Sequence, residues 1–139
     1  MDTKTGRCGC GALQYAFTGK PLNAVFCYCK ACQIHTGSDK FFGMWIPKGN
    51  FGFTQGTPAI YNRKGFSGRD VKHMFCEQCG VSVCGEVTVG NFYSVGVSTL
   101  DKQDDISPSM AIYTGSAPSW AVFPAGVPRF ARLPPNIGG

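Results

Sequence analysis

A chain of 139 residues is long enough for one domain and too short for two of ordinary size. Charged residues make up 15% and hydrophobic ones 43%, which excludes a disordered chain. The net charge of +5 is modest and its basic residues are scattered, apart from Arg63, Lys64, Arg69 and Lys72, a distribution that suits a small anionic ligand better than a nucleic acid. The first ten residues, MDTKTGRCGC, have no apolar core of the kind a signal peptide needs. No stretch approaches the roughly 18 apolar residues of a membrane span. The expected compartment is the cytoplasm, where thiols stay reduced and clustered cysteines bind metal more often than they form disulfides.

Nineteen glycines, nine prolines and eleven phenylalanines predict many short strands joined by tight turns. Over residues 7–17, Leu13, Tyr15 and Phe17 alternate with small or polar residues, the pattern of a strand with one buried face. Residues 22–26 form a second strand that runs into Cys27. A helical turn or two follows Cys29, through Gln33 and His35. Residues 41–46 (FFGMWI) read as a near-continuous apolar strand closed by Pro47. Short strands over 51–54 and 59–62 flank a Gly-Thr-Pro turn, and residues 71–75 lead into Cys76. Residues 81–87 and 92–97 face each other as a hairpin across Gly90-Asn91. Residues 110–113 and 120–123 close a single, mainly β domain over 1–133, with a loose tail at 134–139.

Eight cysteines fall into four groups, and spacing decides what each can do. On extended chain, residues i and i+2 point the same way, so Cys8 and Cys10 can present two sulfurs to one ion. Gly9 and Gly11 keep that approach clear. Cys76-Glu77-Gln78-Cys79-Gly80 is a knuckle, a turn that brings two sulfurs together while Gly80 frees the backbone. The two pairs make a closed, four-thiolate structural zinc site. Buried, inert thiols are the plainer alternative, but two close pairs at these spacings argue against it.

Cys27, Cys29 and Cys32 combine the C-x-C and C-x-x-C devices, so all three can reach one metal and leave a fourth position open, as in a catalytic zinc site. Two residues could close it. His35 is read as a helical-turn side chain rather than a ligand, and Cys84 as a partly buried thiol on the polar face of VSVCGEV. An open three-thiolate zinc carries net negative charge and is a weak activator of water, but it suits an incoming thiol. No carboxylate dyad for hydrolysis is visible, since only Glu77 and Glu86 stand near the metal segments. His73 alternates with Val71 and Phe75 and reads as packed or hydrogen-bonded.

Cys8-x-Cys10-Gly11, Cys27-x-Cys29-x2-Cys32 followed by Thr36-Gly37, and Phe75-Cys76-x2-Cys79-Gly80 occur in this order and at these separations in one known family. With Ala117-Pro118-Ser119-Trp120 and Gly126-Val127-Pro128-Arg129-Phe130 near the end, the chain resembles the glutathione-dependent formaldehyde-activating enzyme family, also called the Gfa or centromere-protein-V family. The resemblance implies a tent-like, Mss4-like β fold of short antiparallel strands. It also implies two zinc ions, one structural (Cys8, Cys10, Cys76, Cys79) and one catalytic (Cys27, Cys29, Cys32). The implied activity is that of a carbon–sulfur lyase joining glutathione to formaldehyde as S-hydroxymethylglutathione, or acting on a related thiol adduct. Lys30 and Lys40, which flank the triplet, would then meet glutathione's carboxylates. Tyr28 departs from the family, many of whose members carry histidine there, and Gln33 and Ile34 replace a frequent basic pair. Two rival readings stand beside this one: a zinc-stabilised Mss4-like binding module without catalysis, and a methionine sulfoxide reductase-like enzyme with Cys84 as nucleophile.

Overall fold

Glycine-rich turns and short apolar runs give this chain ten strands and one α-helix in a computed structural model that describes residues 2–65, 68–88 and 90–135. The strands are β1 (Thr3–Arg7), β2 (Gln14–Thr18), β3 (Asn23–Cys27), β4 (Phe41–Pro47), β5 (Phe51–Gln55), β6 (Ala59–Lys64), β7 (Asp70–Phe75), β8 (Ser82–Val87), β9 (Phe92–Gly96) and β10 (Met110–Ile112). The helix, α1, spans Lys30–Thr36 and ends at Gly37, whose φ of +70° is the left-handed geometry that favours glycine. No helix among the described residues is long and apolar enough to cross a membrane.

Two expectations give way here. The single strand expected over 7–17 is a hairpin, in which β1 and β2 pair antiparallel from Thr3↔Thr18 to Arg7↔Gln14. Cys8 N–H donates to the Leu13 carbonyl at 3.0 Å and Gly11 N–H to that of Cys8 at 3.2 Å, so the chain reverses between them. The residues expected to form a strand at 120–123 are irregular. Pro118 and Pro124 bracket them without ladder donors, and Ala121 N–H closes a turn on the Pro118 carbonyl at 3.0 Å. Of the loose tail expected at 134–139, residues 136–139 lie outside those described.

The strands form two sheets, β1-β2-β5 and β10-β3-β4-β9-β8-β7-β6. Pairing is antiparallel except at β10, which lies parallel to β3 through Met110↔Val25 and Ile112↔Cys27. The small sheet covers one face of the large one. Leu13, Tyr15 and Phe17 from β2 and the turn before it pack with Met44 and Ile46 of β4, Val95 of β9 and Val83 and Cys84 of β8. Fully burying side chains of this size stabilises the fold by about 1.5–3 kcal/mol each. Tyr15 keeps its hydroxyl satisfied by Thr99 Oγ1 at 2.8 Å, and Thr99 in turn donates to the Gly96 carbonyl at 2.7 Å. The opposite face of the large sheet is covered only in part. There Val25, Trp45, Phe92, Met110 and Ile112 pack with Val127, Phe130 and Leu133 of the C-terminal segment. That segment is stitched to β10 by Phe130 N–H to the Ala111 carbonyl (2.9 Å) and Ala111 N–H to that of Pro128 (2.9 Å). What this segment leaves uncovered becomes a cleft.

Candidate metal centres and substrate cleft

The β1–β2 turn carries Cys8 and Cys10, and the β7–β8 turn carries Cys76 and Cys79. Their four sulfurs lie within 4.8 Å of one another. Cys8 and Cys10 sulfurs are 3.8 Å apart, and those of Cys10 and Cys76 are 3.7 Å apart. A tetrahedral ion with ~2.3 Å bonds to sulfur needs edges of about 3.8 Å. The geometry and the soft donor set therefore fit zinc. The C-x-C pair converges through a turn rather than along the extended strand expected from its spacing. Gly11 (φ +80°) and Gly80 (φ +76°) make the two reversals possible. Gly9 is needed for closeness, because a Cβ there would stand 3.2 Å from Val81 Cγ2 and 3.7 Å from Cys79 Sγ. Leu13 N–H points at Cys8 Sγ (3.3 Å). A backbone hydrogen bond from Val81 leads the effects that lower Cys79 to about 6.

The second cluster forms where β3 gives way to α1. Cys27 ends the strand, Cys29 caps the helix by accepting from Cys32 N–H at 3.3 Å, and Cys32 sits in its first turn. These three sulfurs also lie within 4.8 Å of one another. Among the described residues no fourth histidine, cysteine or carboxylate joins them. Hydrogen bonds from Cys27 and then Cys32 pull Cys29 down to about 3, and the same sharing pushes Cys27 up to about 12. His35 lies a turn beyond Cys32, but its ring faces that of His73 at 4.4 Å. Cys84 was expected to be partly buried on a polar face. Instead that face is the one beneath the small sheet, leaving Cys84 2% exposed with its sulfur 3.8 Å from Met74 Sδ. Burial pushes its thiol up to about 12, which disfavours the thiolate that a nucleophile needs.

The triplet opens into a cavity of about 150 Å³ on the half-covered face of the large sheet. Strand register explains its shape. Trp45, Ser94, Gly85, His73 and Tyr61 stand side by side across β4, β9, β8, β7 and β6. Gly43 and Gly85 lower the floor, and Phe41, Trp45, Val71 and Val87 wall it. On the β6–β7 side Arg63 Nε donates to His73 Nε2 at 2.9 Å, which places the proton of a neutral imidazole on Nδ1. Burial, with His35 and Arg63 adding to it, lowers His73 to about 4, and burial also lowers His35. Tyr113 joins the wall with a left-handed backbone (φ 54°).

Arg63 and His73 are thus site residues that the sequence pattern did not single out as such. The only signal was the loose basic grouping that contains Arg63. Neither Lys30 nor Lys40 lines the cavity. Lys30 is exposed, and Lys40 is held by Asp39 (3.0 Å) over the rings of Phe26 and Tyr28. Glu77 is exposed and Glu86 pairs with Lys48 at 2.8 Å, so neither carboxylate reaches the cleft. Tyr28 is fully buried and donates to the Val122 carbonyl at 3.1 Å, tying the triplet segment to the C-terminal one.

Residues 3–116 match the sequence family described as glutathione-dependent formaldehyde-activating enzyme. In structure the chain is similar to a crystallised Rhodobacter sphaeroides protein, with a TM-score of 0.57 and 22% identity over 75% of this chain and 91% of that one. At that identity the likeness shows a shared fold. No curated protein matches the chain.

Proposed function

The chain belongs to the glutathione-dependent formaldehyde-activating enzyme family, and from that premise we propose that it joins a thiol to an aldehyde at the Cys27–Cys29–Cys32 cluster. In the family's reaction these are glutathione and formaldehyde, a carbon–sulfur lyase chemistry. The observation that carries the reading is three sulfurs, without a fourth protein donor among the described residues, at the edge of a largely apolar cavity. Zinc held by Cys27, Cys29 and Cys32 would supply a soft Lewis acid that favours the deprotonated form of an incoming thiol. A second zinc on Cys8, Cys10, Cys76 and Cys79 would hold the two turns together, within the tent-like, Mss4-like arrangement the family implies.

The reaction balances without an oxidant or reductant. A bond forms between sulfur and the aldehyde carbon, the carbonyl becomes a C–O single bond, and the thiol proton ends on that oxygen. Phe41, Trp45 and Val87 keep bulk water from the reacting pair, and the confined space supplies proximity. Exchange NMR on glutathione with formaldehyde tests this, because it reads interconversion above the spontaneous background. Wild type accelerates the exchange and Cys29→Ser does not. If wild type gives no acceleration, and glutathione leaves the spectrum of the cobalt-substituted protein unchanged, the binding-module reading replaces this one.

A further inference from the structure

We propose that Arg63, positioned by His73, binds a carboxylate on the thiol substrate, and that this substrate is a small thiol acid with an otherwise apolar body. The proposal rests on the thiol chemistry inferred above and adds the substrate class. Arg63 lines the same cavity as the cysteine triplet. Its Nε donates to His73 Nε2 and its Nη1 to the Lys64 carbonyl at 3.3 Å, and neither acceptor is an anion. Elsewhere Lys4, Arg7, Lys40, Lys48 and Lys64 each have an acidic partner. Among the described residues no carboxylate pairs with Arg63. A guanidinium that lines a mostly apolar cavity and has no carboxylate partner keeps N–H groups to offer a ligand carboxylate. Its planar fork matches a carboxylate better than any other side chain does.

The rest of the lining narrows the class. No carboxylate among the described residues lines the cavity, so none is there to pair with a substrate ammonium. Glutathione brings one ammonium and two carboxylates, whereas the cationic side chain here is Arg63, in a lining that includes Phe41, Trp45, Val71 and Val87. A thiol acid spanning from the triplet to Arg63 satisfies both ends and buries an apolar middle. His73 is a positioning residue, since its Nε2 fixes the Nε of Arg63 and it reaches the substrate only through that contact.

The test uses the zinc-loaded full chain, formaldehyde, and four thiols: 3-mercaptopropionate, 2-mercaptoethanol, cysteamine and glutathione. Exchange NMR supplies kcat and KM, and calorimetry supplies the affinity for each thiol without aldehyde. The expected KM for 3-mercaptopropionate is at least tenfold below those for the other three. Arg63→Gln, with metal content and melting temperature checked, should raise that KM ten- to a hundredfold while 2-mercaptoethanol stays within twofold. Should Arg63→Gln not fold, Arg63→Lys keeps the charge, loses the fork, and should raise KM three- to tenfold. His73→Ala should raise KM for the acid with kcat held, and His73→Gln, which retains an acceptor, should recover part of the loss. Glutathione or cysteamine as the preferred thiol, equal losses for acid and neutral thiols, or no binding of 3-mercaptopropionate overturns the proposal. Acid binding that Arg63→Gln abolishes, without any acceleration of exchange, would leave the anchor standing and sink the chemistry. Accelerated glutathione exchange that is indifferent to Arg63 would do the reverse.

Discussion

Replacing Cys76 by serine should separate the two sheets' closest tie. Cys76 is 4% exposed, and its sulfur lies 3.7 Å from that of Cys10, sixty-six residues away in sequence. Closing a loop of that length is worth about 4 kcal/mol if the link behaves as a cross-link. Structural zinc sites as a class contribute about 10–16 kcal/mol of apparent binding energy that is also folding energy. A domain is stable by only about 5–15 kcal/mol, so losing even the loop-closure part removes much of the total. At roughly 4 °C per kcal/mol for a chain of this size, the melting temperature should fall by about 15 °C or more, if the variant is recovered folded at all. The assay pairs thermal unfolding with metal content by mass spectrometry. Cys84→Ala is the control. It removes a buried thiol outside both clusters, should cost about 1–2 kcal/mol, and should retain every metal of the wild type. A Cys76→Ser protein with wild-type melting temperature and metal content would refute the assignment.

Cys29→Ser should lose one metal per chain and the exchange activity while melting within a few degrees of wild type. Serine is itself a good helix N-cap and can replace the contact to Cys32 N–H; an unfolded variant would show the triplet to be structural. Gly6→Ala should destabilise by about 1–3 kcal/mol in urea unfolding, because the new Cβ would stand 2.5 Å from the Thr99 carbonyl and against the Tyr15 ring. Burial raises Tyr15 from its ordinary value of 10 to about 12, so its contribution is intact below pH 10 and disappears as pH rises to 12. Unfolding free energy should therefore decline across that window, and Tyr15→Phe should flatten the decline at a cost of about 1 kcal/mol at neutral pH. Gly43→Ala places a Cβ against Ser94 Oγ and 2.7 Å from Phe41 Cε2, crowding the cleft floor. It should raise KM in the exchange assay several-fold; an unchanged KM would put the reacting pair elsewhere.

The cysteine groups were legible before any coordinates, because their geometry is local. Two residues between cysteines in a knuckle, or one between Cys8 and Cys10, limit how far apart the sulfurs can stand whatever the distant chain does. The short strands over 41–46, 51–54, 59–62 and 71–75 were legible for the same reason, alternation and apolar runs being properties of neighbours. The 7–17 stretch shows the limit of that logic. Leu13, Tyr15 and Phe17 alternate correctly, yet the turn from Cys8 to Leu13 breaks the strand through hydrogen bonds that glycines permit without announcing. Cys84 shows another limit. Alternation with Ser82 and Glu86 marks its face as polar, and only the packing of β2 and β4 on that side makes it core. The Arg63–His73 side of the cleft was the least legible part. Arg63 and His73 stand on different strands, and their meeting depends on the β6–β7 register that sets Tyr61 opposite His73. Local spacing determined which sulfurs could share an ion. Register and the incomplete cover of one sheet face decided what else would stand beside them, because those depend on contacts between residues far apart in the chain.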